Sequence, residues 1–434
     1  MRYRELIPKE GWIRKYVCYA AGSDSLKLPE KYRNEIPFEF HLFTGLTILG
    51  ANLGRNVYVP RGTYKVYPAM ITVLTSPTGI CKKTTAISIG QRILRETGQT
   101  KIISESITPE ALVEALRRER PKLLKKGDKQ KIVPEVLDST AIIIAPELST
   151  FIDKRDYHAG LIPLITRLAD CPDIWSSETI GRGTTTLRNV GLSALWASAP
   201  SWLFGMPDVM FSGGFVARCI YVCRDFPTGP VSTPTPLCSE LRDELVKELI
   251  ELHKVKGEMP PTEEAGEWFD NWYDNEFYPY KSHEEKRAAY QERKPDHLFR
   301  MALVISTSKC RQQIHLEDLK EALAILEATE EKMFQLFGTI ERSSSTTGWI
   351  LETVLKKIKR RGRIMHTDLM RGLVARGIHK GDIMQAIGSL TEAGFVRREV
   401  EQRNRGRSPI FYKYIGGEDV DDLAQPKKRR KERR

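Results

Sequence analysis

Residues Thr75–Thr85 read TSPTGICKKTT and follow Ala69–Leu74, AMITVL, a short β-branched run behind Pro68. The run predicts a buried strand, the middle a turn, and TTAISIGQRILRET a helix. A strand, a tight turn and a helix together aim backbone N–H groups at an anion. Such a loop also needs a lysine for the β- and γ-phosphates and a hydroxyl for Mg²⁺. Here Ser76, Pro77, Thr78, Gly79, Ile80 and Cys81 form the loop, Lys82 and Lys83 offer the cation, and Thr84 and Thr85 the hydroxyls. The usual glycine pair is reduced to Gly79. Two registers are open. With Lys83 as the phosphate lysine, Thr84 falls on the metal. With Lys82, Gly79 is better spaced, but Lys83 stands where the hydroxyl belongs. Lys83 with Thr84 is the preferred register.

Outward from the loop, Pro37–Leu53 reads as a buried helix, and Thr140–Ala145, Gly191–Ser198 and Ala217–Cys223 as buried strands. Apolar strands separated by helical stretches predict an α/β core with a mainly parallel sheet covered on both faces. A phosphate-loop NTPase needs a second, acidic strand end. Thr140–Glu147 reads TAIIIAPE: Glu147 fits the general base that polarises water, while Pro146 replaces the aspartate that would support the metal. The Lys-rich stretch Arg117–Lys131 reads as a surface loop or insertion.

The chain divides by composition into five parts. Residues 1–35 read as an N-terminal extension and 36–226 as the core. Residues 227–342, opened by PTGPVSTPTP, read as a helical linker and lid. SSSTTG at Ser343–Gly348 marks a linker to a module at 345–416, and 417–434 is a basic tail. The module reads as three helices and two terminal strands joined by RNRGRS, the order of a winged-helix domain. In that arrangement its second motif helix enters a groove and the wing tracks the backbone. Lys380, Gln385 and Ser389 lie on or beside that helix, and Arg397, Arg398, Arg403, Arg405 and Arg407 lie on the wing and its flanks. Phosphate-directed arginines with little base-reading chemistry predict DNA binding of low sequence specificity.

The chain has 434 residues, 68 Lys+Arg against 56 Asp+Glu, and a formal net charge of +12. Residues Ser345–Gly416 carry +9 of that and the tail +2, leaving +1 for the other 344 residues. A near-neutral body with a basic C-terminal fifth points to an appended polyanion-binding module. Seven scattered cysteines without paired CxxC spacing argue against a disulfide framework or a zinc site, and so for a reducing compartment. No apolar run reaches the roughly 20 residues of a membrane span, and the N-terminus lacks a secretory core. The expected location is cytoplasmic, at a nucleoid or in a phage-infected host; PKKRRKERR looks like a nuclear signal but is equally a DNA-binding tail.

In order, PFEFHLFTGLTILG, VYPAMITVLTSPTGICKKTT, IIIAPELSTF, LSALWASAPSWL, GGFVARCIYV and HLFRMALVIS resemble the phage- and plasmid-encoded helicase-like NTPases found fused to or beside primase-polymerases. The C-terminal module is similar to that of minichromosome-maintenance-type helicases. The resemblance covers about residues 36–415 and implies a RecA/AAA+-type core, an ATP and Mg²⁺ requirement, and a homo-oligomeric ring acting on single-stranded or forked DNA. Carried over residue by residue, it makes Ser198 the strand-end phosphate sensor. Arg218, behind Gly213-Gly214, becomes an arginine finger acting in the neighbouring subunit, and Arg300 a lid arginine on the nucleotide. Ile180–Gly191 becomes a hairpin that points Arg182 or Arg188 at DNA in the channel. Only about 35 residues precede the core, so priming is expected from a separate primase or polymerase. Two other readings stand beside a helicase: an ATPase that loads or remodels another replication protein, and a DNA-binding initiator or scaffold with a degenerate nucleotide site.

Overall fold

Residues 3–29, 33–103, 106–117, 119–126, 129–151, 160–179, 183–203, 214–282, 285–344, 346–374, 378–401 and 409–415 are described by a computed structural model. They fall into two units, Met1–Phe337 and Gly338–Arg434.

The first unit is α/β. Five parallel strands run in the order Cys219–Cys223, Ile71–Thr75, Gly183–Ser198, Asp138–Ala145 and Ile102–Ile103. Ile174–Thr179 pairs antiparallel with the start of the long Gly183–Ser198 strand. The middle strands are buried on both faces, as Ile71–Thr75 and Ala141–Ala145 show, which is what a sheet covered by helices on each side requires. Because the five strands are parallel, Thr75, Ala145, Ser198 and Cys223 end on one edge. The chain leaves Ile71–Thr75 for the far side of the sheet and finally returns to its other flank. Ligand crevices of open α/β sheets form at such a reversal, beyond the carboxyl ends of the strands.

All sixteen residues of helix Phe38–Leu53 are buried, Glu39, His41 and Asn52 among them, as befits a helix enclosed on every side. It packs against Lys83–Thr97 and against Gly11–Ala20, and a glycine allows each approach. A Cβ on Gly90 would lie 2.5 Å from Thr44 Cγ2, and one on Gly45 would lie 2.6 Å from Tyr16 Cδ1.

Tyr16 belongs to helix Gly11–Ala20, whose residues Trp12, Ile13, Tyr16 and Val17 are fully enclosed. The indole of Trp12 donates to the Leu245 carbonyl at 3.0 Å. The stretch read as an N-terminal extension is therefore core: its apolar residues recur at helical spacing beneath flanking charges.

Of the two readings of the Lys-rich stretch, surface loop or insertion, the second fits: it contributes to a two-stranded sheet of its own. Glu119–Lys126 and Lys129–Val136 form an antiparallel ladder around Gly127-Asp128, a dipeptide type that favours tight hairpins. Beyond Pro236 the expected helices form as Ser239–Leu252, Glu263–Asn271, Glu285–Ser308 and Leu316–Ser344. Gly257–Glu258 instead joins Val57–Arg61 and Tyr64–Val66 in a small sheet. Through Phe337 these elements share one unit with the parallel sheet, so PTGPVSTPTP does not divide the fold. One helix reaches Ser344 and the next starts at Thr346, so helix flanks residue 345 where a linker was expected.

The second unit comprises helices Thr346–Arg361, His366–Val374 and Lys380–Glu392 with strands Arg363–Met365, Val396–Val400 and Ile410–Tyr414. Ile410–Tyr414 is central and antiparallel to both neighbours. Its own core includes Val354, Ile358, Leu369, Ile383 and Tyr412. Arg182, Arg403, Arg405, Arg407 and the tail 417–434 lie outside the described residues. Among the described residues no helix is long and apolar enough to cross a membrane.

Candidate functional site

The segment after Thr75 turns through Gly79, at φ +79°, and Lys82, at φ +48° and ψ +43°, before the helix opens at Lys83. A Cβ on Gly79 would meet nothing within 4 Å, so glycine there serves the left-handed backbone and not a close contact. Lys82 holds the same left-handed region with a full side chain. No side chain caps this helix, and the Thr85 amide turns back to the Lys82 carbonyl at 3.1 Å, so the amides of Lys83 and Thr84 are the ones placed to meet an anion.

The two lysines part company here. Lys83 Nζ folds back over the loop and donates to the Ser76 carbonyl at 2.6 Å, Ser76 Oγ at 3.0 Å and the Pro77 carbonyl at 3.3 Å. Burial draws its ammonium below the ordinary lysine range, while Cys81 and Glu147 pull the other way. Lys82 Nζ points elsewhere and pairs with Glu35 Oε2 at 2.7 Å. Hydrogen bonds from Lys82 and from the Val231 amide hold the Glu35 carboxyl below its usual range.

Thr78, Gly79, Ile80, Thr84 and Thr85 are exposed around this cation, whereas Cys81 is buried. Burial pushes the Cys81 thiol up, so it serves as packing rather than as a nucleophile.

Two more expected residues reach the same edge. Ser198 pairs in register with Thr75, and its carbonyl accepts from the Ser76 amide at 3.3 Å. Glu147 stands two residues beyond the Asp138–Ala145 strand, exposed, and accepts from Ser149 Oγ at 3.0 Å. An exposed hydroxyl at Thr84, a seated ammonium at Lys83 and a carboxylate at Glu147 suit a nucleotide triphosphate with its magnesium. With Pro146 in place of a carboxylate, the metal would draw most of its ligands from phosphates and water.

The structure does not bring Arg218 or Arg300 to this loop. Arg218 precedes Cys219, which pairs with Ile71, so it lies at the opposite edge of the sheet. There its Nε and Nη2 bind Asp170 at 2.9 and 2.6 Å, and its Nη1 binds the Gly214 carbonyl at 2.9 Å. Arg300 is buried and donates to the carbonyls of Ala69 at 3.0 Å and Ala169 at 3.4 Å. Those backbone contacts seat the guanidinium under the sheet, away from the loop at Lys83.

A pair that the sequence reading passed over does sit beside the loop. The Arg224 amide donates to the Thr75 carbonyl at 2.8 Å, and its Nε lies 3.2 Å from Glu39 Oε1. Glu39 is almost enclosed, and burial raises its carboxyl despite the Arg224 charge. The signal was present: Glu39 is a lone acid inside PFEFHLF.

In the second unit, Lys380, Gln385 and Ser389 are exposed on helix Lys380–Glu392, with Gln385 and Ser389 one turn apart. Arg397 and Arg398 are exposed on the Val396–Val400 strand. Arg188 is exposed on the Gly183–Ser198 strand of the first unit. No family model matches the chain, and no curated protein matches it.

Proposed function

We propose that this chain is an ATP-driven DNA motor with a phosphate-loop core of RecA/AAA+ type, working as a homo-oligomeric ring. The observation that carries the reading is the Lys83 ammonium, held over Ser76 and Pro77 at the carboxyl edge of a parallel sheet. Ser198 on one side and Glu147 beyond it supply the polar group and the base that hydrolysis needs. In this reading Lys83 binds the β- and γ-phosphates, Thr84 holds Mg²⁺, and Glu147 orients the attacking water. Arg218 cannot act on its own subunit's loop and serves the site of a neighbour. The second unit's helices and antiparallel strands, with Arg397 and Arg398 exposed, support the winged-helix reading and a backbone-directed grip on single-stranded or forked DNA.

The test is steady-state ATP hydrolysis with and without single-stranded DNA, comparing wild type with Lys83→Ala and Glu147→Gln. DNA-stimulated turnover lost in both variants supports the motor. Background hydrolysis with intact DNA binding sinks it in favour of an initiator or scaffold. That outcome would agree with the side chain at the glycine position 82 and with Pro146. ATP turnover without strand displacement from a fork would point instead to a loader or remodeller.

A further inference from the structure

Asp170 is held by more positive charge than one carboxylate needs. Arg218 grips it with a two-point fork, and Arg293 Nη1, from helix Glu285–Ser308, reaches Oδ1 of the same carboxylate at 3.0 Å. Arg293 also lies 3.8 Å from Asp296 Oδ2, and Asp296 Oδ1 accepts from Tyr64 Oη at 3.0 Å. The backbone that presents Asp170 is fixed from both sides. Arg300 holds the Ala169 carbonyl, and Arg55 Nη1 holds those of Cys171 at 2.6 Å and Pro172 at 3.2 Å. Cys171 itself stands at φ +52°, a left-handed conformation that costs energy in a non-glycine residue. Gly214 completes the arrangement, because a Cβ there would lie 2.9 Å from Arg218 Nη1.

Three charge-assisted N–H donors from two guanidiniums therefore converge on one anion, the geometry with which arginines bind a phosphoryl group. Burial pushes the Asp170 carboxyl up, but the Arg218 hydrogen bond and the charges of Arg293 and Arg300 hold it below its ordinary range. The side chains of Asp170 and Arg293 are about one third exposed, at 38% and 32%, so an incoming anion can reach them.

We infer that Arg218 and Arg293 form a two-arginine phosphate seat, filled in the free subunit by the protein's own Asp170 and filled in the assembly by the nucleotide phosphate of a neighbouring copy. The inference rests on the motor reading above and adds to it Arg293 as a second catalytic arginine and Asp170 as an internal stand-in. Holding the fork pre-formed lowers the cost of ordering it when the phosphate arrives. It also keeps an unpaired pair of guanidiniums from repelling each other before assembly.

The test mixes two disabled proteins. Lys83→Ala has no working loop but intact arginines; Arg293→Ala has the reverse. Each alone is expected to hydrolyse ATP at least about tenfold more slowly than wild type. An equimolar mixture is expected to recover about a quarter of the wild-type rate, because random assembly pairs a good loop with a good arginine at one interface in four. Binding of a fluorescent ATP analogue to Arg293→Ala should match wild type, which separates lost chemistry from a lost fold.

If wild type is active and the mixture stays at the level of its components, the seat does not serve a neighbour's nucleotide and the inference falls. If Arg293→Ala keeps full ATPase but loses DNA affinity, the seat takes a backbone phosphate and the nucleotide assignment is wrong. If wild type itself does not turn over ATP, the motor reading fails first and takes this one with it.

Discussion

Thr75 and Ser198 end neighbouring parallel strands in register, and the chain's first step beyond Thr75, the Ser76 amide, is tied to the Ser198 carbonyl at 3.3 Å. The loop therefore starts from a fixed point, and Ser198 Oγ, donating to the Ala199 carbonyl at 3.2 Å, lies beside it. The backbone makes the join, so Ser198→Ala should change stability by less than about 1 kcal/mol. If the hydroxyl reports the γ-phosphate, kcat should fall about tenfold with KM unchanged, as expected for a contact made only in the transition state. Steady-state ATPase with a thermal melt checks this; an unchanged kcat removes Ser198 from the site.

Lys82→Gly and Lys83→Ala should behave oppositely. Glycine at 82 relieves a left-handed side-chain conformation worth about 1–2 kcal/mol but gives back about 0.4–1 kcal/mol in unfolded-chain entropy. The solvent-facing ion pair with Glu35 adds little. Turnover in Lys82→Gly should stay within about twofold of wild type, whereas Lys83→Ala should lose about a hundredfold or more. The reverse order would move the phosphate lysine to position 82.

The α/β class, the strands either side of the loop and the element order of the second unit were legible because each rests on a local pattern. A run such as AIIIA, short and rich in β-branched residues, favours a buried strand over a helix segment. Strand order was not legible: nothing local in Ile71–Thr75 shows that Gly183–Ser198 and Cys219–Cys223 flank it. Side-chain direction was hidden too. Lys82 and Lys83 look equivalent in a string, and only the left-handed turn at 82 sends one to Glu35 and the other over the loop. Arg300 follows His297–Phe299 as any exposed helix residue might; its burial depends on carbonyls at Ala69 and Ala169, far away in sequence.

Gly90→Ala tests whether the N-terminal helix is core. The added methyl would meet Thr44 at 2.5 Å and the Tyr16 hydroxyl at 3.0 Å. Overpacking of this kind costs about 1–3 kcal/mol, against about 1 kcal/mol gained in helix propensity. Since three helices must shift at once, the clash should win, and the denaturant midpoint should fall. Thr44→Ser in the same protein, which removes the clashing Cγ2 methyl, should recover part of the loss. A midpoint that rises in Gly90→Ala would mean these helices are not packed as described.

Acid should destabilise the first unit through two histidines. Burial lowers the pKa of both His41 and His297 from 6.5 to about 3, and His297 Nε2 sits 3.0 Å from the Ala217 carbonyl. Both are neutral when folded, while the unfolded chain takes up their protons below about 6.5. The unfolded state then binds more protons, so stability is full above pH 6.5 and falls as the pH drops from there toward 3. Each histidine contributes a slope of up to about 1.4 kcal/mol per pH unit within that window. Urea titrations from pH 7 to 4 should show the fall, and His297→Gln should flatten it. A stability independent of pH over that range would show that neither imidazole is enclosed.

Arg397 and Arg398 stand exposed on the strand that precedes RNRGRS in the sequence. Arginines so placed bind phosphates, whose neutralisation releases counterions and sets the salt dependence of binding. Replacing both with alanine should weaken binding to single-stranded and forked DNA alike, by a similar factor for unrelated sequences. The slope of log affinity against log salt should become shallower by about 0.7–0.9 for each phosphate no longer neutralised. ATP hydrolysis without DNA should be untouched, because the loop at Lys83 belongs to the first unit. Fluorescence anisotropy across a salt series measures the slope. Weakening confined to one sequence, or a slope that does not change, would mean these arginines read bases or bind protein instead of the backbone.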